Sequence, residues 1–210
     1  MQTTFVEMMI KDFGARVESV WENLRPVTKK MIVGALQASG ANTSPVQTQK
    51  FSYDTQSDWE LSRLLTALDE QAFEAVVNND AEKLAEIRQL ANTLVQVLEA
   101  KTESAEVFIQ LSERFLKYNN FQRFDKFADA LSERFSAGEI AEIIRQTDLA
   151  QIRAVAFETL SLMPTSFILP LLDDPLYYGI ARNALEQQAF EYESEDAREV
   201  LEQIEFGIDE

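Results

Sequence analysis

The side chains able to do chemistry in this 210-residue chain are carboxylates, Lys, Arg, Tyr, Ser and Thr, because it holds no His and no Cys. That removes zinc sites built on thiolate or imidazole, cysteine nucleophiles and every triad with a histidine base. Two carboxylate pairs stand one helical turn apart, Glu103-x-x-Glu106 and Glu193-x-x-Asp196. Such pairs share a helix face and can hold a divalent cation when two of them meet on adjacent helices. Here they lie far apart in the chain, and helices rich in Asp and Glu produce the pattern freely. Asp173-Asp174 reads as a turn and helix cap rather than a ligand pair. The six glycines are isolated, so no Gly-rich phosphate loop exists, and no nucleophile elbow appears. The expectation is a protein without catalytic residues, metal or cofactor, and a carboxylate-based divalent-metal enzyme is the alternative.

Charge points toward partners instead. The chain carries 19 basic and 36 acidic residues, a net charge of −17. Residues 1–56 are nearly neutral, with six basic and five acidic groups, whereas residues 186–210 hold ten acidic groups and one basic group, Arg198. So acidic a terminus repels nucleic acid and anionic membrane at long range and favours a basic protein surface. An acidic decoy or immunity-type inhibitor of a basic protein is a second alternative. The basic cluster Arg25, Lys29 and Lys30 reads as a solvated face. No run approaches the ~18 apolar residues of a spanning helix, and Glu7 and Asp12 break any signal-like N-terminus, so the expected compartment is the cytoplasm.

The elements that must position these groups are helices. Gly and Pro total only eleven residues, too few for the tight turns of an all-β fold. Apolar residues recur at spacings of three and four nearly throughout. A stripe of Phe5, Met9, Phe13, Val17, Val20 and Leu24 predicts one helix over 3–24. Pro26 opens the next, where its missing N–H costs nothing. Residues 40–56 are polar and aperiodic with Pro45, which predicts a linker or long loop that Phe51 and Tyr53 could pin. Ser57-x-x-Glu60 and Ser136-x-x-Glu139 read as capping boxes. Leu84, Ile87, Ala91, Leu94 and Leu98, widened by Leu90, Val95 and Val97, give a helix over 80–101 so apolar that it must be covered on two sides. Residues 103–118 and 121–136 form two Phe-rich helices. Asn119-Asn120 between them is a turn short enough to force antiparallel packing. Asp148 is expected to cap a helix ending before Pro164, and Asp174-Pro175 to start the penultimate one.

Residues 148–185, with Ile152-Arg153, the small-residue and leucine pattern Ala154, Ala156 and Leu160, and the turn Leu171 to Pro175, resemble a HEAT-type helical repeat. The resemblance implies stacked helical hairpins and a surface that binds other proteins. The reading is therefore an all-α protein of antiparallel helical hairpins, stacked as a short irregular solenoid or a compact multi-helix bundle. Its expected organisation is a helical hairpin over 1–39, a linker over 40–56 and a repeat-like domain over 57–210. The expected function is a non-catalytic protein-interaction module with an acidic C-terminal surface. Tyr177 and Phe190, off the main buried stripe of their helix, and Glu191, Glu193 and Glu195 are the candidate partner-binding residues.

Overall fold

Twelve α-helices account for the chain in the computed structural model, which describes residues 2–40 and 53–207. The first five are α1 (Gln2–Phe13), α2 (Ala15–Glu22), α3 (Pro26–Gly40), α4 (Thr55–Val77) and α5 (Ala81–Lys101). Then come α6 (Ala105–Lys117), α7 (Phe121–Arg134), α8 (Ala137–Gln146), α9 (Ala150–Leu162) and the single turn α10 (Thr165–Ile168). A 3-10 turn over Leu169–Asp173 leads to α11 (Tyr178–Phe190) and α12 (Glu195–Gly207). Among the described residues there is no strand, so the fold is all-α. No single helix among them is long and apolar enough to cross a membrane. The α9 helix joined to Thr165–Asp173 reaches that composition only across a 120° bend.

The chain divides into two compact units, Met1–Thr102 and Glu103–Glu210. The division falls neither at residues 40–56 nor between a hairpin over 1–39 and a domain over 57–210. The reason is packing: α2 and α3 lie on α4, and α3 also lies on α5, so the first three helices share a core with the next two. Gly40 closes α3 and Thr55 opens α4, while residues 41–52 lie outside the described residues.

The first unit is built around α5. Ile87, Leu90, Ala91, Leu94, Val95 and Leu98 are all buried, under α4 on one side and α3 on another. An arc of that width has no other way to leave water. The expected single helix over 3–24 is two. Gly14, between α1 and α2, has φ 123° and ψ 162°, a region open essentially to glycine alone. A side chain there would also collide with Gln71 of α4, whose Oε1 would lie 2.9 Å from the added Cβ. Phe13 and Val17, on either side of the break, are both buried.

Polar groups lock the same unit. Asp54, not Ser57, is the N-cap of α4 and accepts from the Ser57 backbone N–H at 2.8 Å. Glu60, the expected second half of a capping box, is drawn elsewhere. Its buried carboxylate accepts from Arg25 Nε at 3.1 Å, from the Arg25 backbone N–H at 3.2 Å and from the Thr28 hydroxyl. Arg25 turns its outer nitrogens to Asp54, at 2.7 and 2.9 Å. Arg25 is thus no part of a solvated basic face. Burial pushes the Glu60 carboxyl up, but the bonds from Thr28 and Arg25 outweigh it and hold it below its ordinary value. Asp54 lies well below the carboxylate range because of Arg25 first and Ser57 next.

In the second unit, α6 and α7 bury an aromatic cluster. Phe108 stacks on Phe127 at 4.7 Å between centroids and meets Phe135 edge-on at 5.6 Å; Phe115 meets Phe127 edge-on at 5.9 Å. The Asn turn between them is a Schellman closure. Asn119 takes φ 55°, the Asn120 N–H returns to the Phe115 carbonyl at 2.8 Å, and the Asn119 N–H reaches Leu116 at 3.0 Å. Asn79 does the same between α4 and α5. Ser136 caps α8 through the Glu139 N–H, but the Glu139 carboxylate reaches the Ala105 N–H at 2.6 Å and so caps α6 instead. Asp148 is exposed and caps nothing; Leu149 precedes α9, its N–H bonded to the Thr147 hydroxyl.

Glu60→Ala takes the acceptor from Arg25 Nε, the Arg25 backbone N–H and the Thr28 hydroxyl, while the outer Arg25 nitrogens keep Asp54, so unfolding in denaturant should show a loss of about 2 kcal/mol. Because the Glu60 pKa is lowered by folding, the gap between wild type and variant should be full above the ordinary carboxylate pKa and shrink as pH falls through the lowered one. Gly14→Ala should cost about 1–3 kcal/mol by the same measurement. A loss within error for either variant contradicts the account of its site.

Candidate interaction surface

The residues singled out by the sequence all fall on or beside α11, and they separate into two places. Tyr177, just before α11, is half-buried, and its hydroxyl donates to Glu142 Oε2 of α8 at 2.8 Å. Phe190 is the last residue of the helix, about 20 Å further along at 1.5 Å per residue. Tyr177 therefore stands apart from Phe190 and works as a tie between two helices of the second unit.

That tie is electrostatic as well as steric. Arg145 grips Glu142 from the next turn of α8, with Nε at 2.6 Å and Nη2 at 2.5 Å from the carboxylate oxygens. Arg145 foremost, then Gln146 and Tyr177, hold the Glu142 carboxyl down at about 2 against an ordinary 4.5, in spite of partial burial. The same bond to Glu142, followed by burial, raises the Tyr177 phenol above its ordinary value. The phenol remains protonated and donating at neutral pH.

At the other end, α11 presents Asn183, Glu186, Gln187 and Phe190 on one face, at spacings of three and four. These four, with Glu191 and with Phe157 of α9, line a shallow cavity of about 430 Å³. Phe190 is 77% exposed, the highest value among the large apolar residues described. It packs neither on α12 nor into the core. Arg182 and Glu186 form an ion pair at 3.1 Å along the helix, and Gln187 donates to Glu191 at 3.0 Å. The cavity thus has two phenyl rings and a rim of two carboxylates and two amides. Glu193, in the turn after α11 with φ 55°, and Glu195, in the first turn of α12, are exposed beside it in sequence and extend the acidic run.

What fixes this end of α11 is Gln188, which the sequence does not flag. The side chain is buried. Its amide nitrogen donates to the Ser161 carbonyl at 3.0 Å and to the Met163 carbonyl at 2.5 Å, and its oxygen accepts from the Thr165 hydroxyl at 3.0 Å. One amide thereby satisfies carbonyls at the C-terminus of α9 that the helix itself leaves open. It also sets α9 beside α11, with Phe157 facing Phe190 across the cavity. The only sequence signal for it is a polar residue sitting on the apolar stripe of Ala181, Leu185 and Ala189.

No group of three or more carboxylates that could hold a metal occurs among the described residues. Glu103 and Glu106 open α6, exposed to solvent, and Glu193 and Asp196 lie across the turn between α11 and α12. Comparison with family models, with curated proteins and with solved structures gave no match.

The two ends of α11 should respond differently to mutation. Tyr177→Phe removes a hydrogen bond to a charged acceptor and should cost about 1.5 kcal/mol near pH 7. Because Glu142 titrates near 2 folded and near 4.5 unfolded, that cost should fade as pH drops below about 4.5 toward 2. Phe190→Ala should change stability by less than about 0.5 kcal/mol, as for other exposed sites. Urea melts of both variants at pH 7 and pH 3 check this; a Phe190→Ala loss as large as that of Tyr177→Phe would mean the ring is packed.

Proposed function

We propose that this chain is a non-catalytic, cytoplasmic protein-interaction module whose acidic C-terminal surface docks a basic partner. One observation carries the reading: a phenylalanine 77% exposed at the edge of a cavity rimmed by Glu186 and Glu191, inside the stretch where the chain's negative charge is densest. An aromatic residue in the open is a usual anchor of an interface, and a charged rim speeds encounter with a partner of opposite sign. Docking on Phe190 and Phe157 supplies desolvated apolar contact, and Glu191, Glu193 and Glu195 supply steering. The absence of His and Cys supports a binding role over catalysis. Residues 148–185 resemble a HEAT-type repeat, a class that mostly binds proteins, which supports the same role. The apolar floor favours an adaptor over a pure charge decoy, whose binding would need carboxylates alone.

The test places a photo-crosslinking phenylalanine analogue at position 190, and at the exposed position 121 of α7 as control. Each protein is irradiated in native extract, and the crosslinked protein is identified and purified. A basic partner captured at position 190 and not at 121 is expected. Its association should slow at least tenfold with Glu191, Glu193 and Glu195 all replaced by Gln, and its dissociation should quicken with Phe190→Ala. A partner whose kinetics neither change alters removes this surface from the function. Binding abolished by moderate salt but indifferent to Phe190→Ala would replace the adaptor with the decoy.

A further inference from the structure

The long helix of the first unit carries a second exposed face. Trp59 is 50% exposed, Phe73 71% and Val77 64%, and Arg63, Thr66 and Glu70 between them are exposed as well. These six positions follow one another at spacings of four, three, four, three and four. That is a stripe of average period 3.5 along most of the 23 residues of α4, apolar at Trp59, Phe73 and Val77 and polar between them. The opposite side of the helix holds Leu61, Leu64, Leu65 and Leu68 in the core. So α4 has a buried face and, in addition, a solvent-facing seam with exposed rings toward both ends.

The content of the seam selects the occupant. It holds one cation, Arg63, and one anion, Glu70, the latter also paired to Arg16 of its own α2 at 2.6 Å, and the unit around it is close to neutral, with ten basic and fourteen acidic residues in 1–102 against nine and twenty-two in the rest. Neither a basic nor an acidic partner finds an excess of opposite charge here. A second copy of the same helix does. Laid antiparallel about a two-fold axis at the level of Leu68, the seam sets Trp59 opposite Val77 of the second copy, Arg63 opposite Phe73, and Thr66 opposite Glu70. Each pairing occurs twice by symmetry. Arg63 already lies over an aromatic ring in its own chain, 4.6 Å from the Trp59 centroid. In the pair it lies over Phe73 of the second copy and within a turn of that copy's Glu70. A parallel pairing would instead set Arg63 against Arg63 and Glu70 against Glu70. We propose that α4 is a self-association surface through which two copies of this chain form an antiparallel, two-fold symmetric dimer.

Sedimentation equilibrium of the full chain, from about 1 to 200 µM in 150 mM NaCl, tests this. Expected is a reversible monomer–dimer equilibrium. Phe73→Glu should abolish it, leaving helical content unchanged because the ring is exposed. Arg63→Glu and Glu70→Lys should each weaken dimerisation at least tenfold, since each sets like charges together. In an Arg16→Gln background, which removes the in-chain partner of Glu70, Arg63→Glu combined with Glu70→Lys should recover it to within about threefold of that background, because the swapped charges again meet across the two-fold axis. A monomer at every concentration overturns the proposal, as does a dimer indifferent to Phe73→Glu. Failure of the double variant to recover, with its thermal unfolding intact, overturns the antiparallel arrangement.

Discussion

Apolar stripes too wide for one neighbour to cover shape both units. On α5 the buried residues run from Ile87 to Leu98 around more than half of the helix, so α3 and α4 must both lie against it. With α4 joined to α5 by a turn of three residues, α3 has to return from the other end of the unit to close the second side. The break at Gly14 interrupts a stripe, Val6, Ile10, Phe13, Val17 and Trp21, whose spacings of three and four keep one face in the core on either side of it. In the second unit, rings replace aliphatic side chains. Phe108 is sealed between Phe127 and Phe135, which come from separate turns of the next hairpin arm.

This is why the helices were legible and their grouping was not. Period and turn chemistry are local, and they locate α4 through α9 to within a few residues; Asn79 and Asn119 take the left-handed conformation that their position in a three-residue turn requires. Which helices share a core depends on contacts dozens of residues apart. The polar, aperiodic stretch 40–56 resembles a boundary in composition, yet its two ends belong to helices of one unit. A carboxylate three residues after a serine reads as a cap in both Ser57-x-x-Glu60 and Ser136-x-x-Glu139. In each case the serine or its neighbourhood behaves locally, while the Glu side chain serves a group on a distant helix.

The candidate surface was legible in the same uneven way. Phe190 stood out because it breaks the stripe of its own helix, and Asn183, Glu186 and Gln187 follow from helical spacing alone. Phe157 could not be found so, because it reaches the cavity from α9, which packs beside α11 and is tied to it by Gln188. Tyr177 shows the converse error. Its position off the stripe is real, but the phenol is turned to Glu142, and a residue that looks free along one helix is held by another.

Glu60, Glu139 and Glu142 share one property beyond their bonds. They reach Arg25, Ala105 and Tyr177 across sequence separations of 35, 34 and 35 residues. Hairpin contacts close loops of a few residues and form early, whereas a link across some 35 residues bears a larger closure entropy and gains only when both hairpins exist. In kinetic terms these carboxylates are late locks, poorly formed at the folding barrier. Weakening them should steepen escape from the native state rather than delay arrival at it, raising the unfolding arm of a chevron and leaving the refolding arm in place. Side chains such as Glu60 and Glu139, which look like purely local caps in the sequence, thereby set how long each unit stays folded.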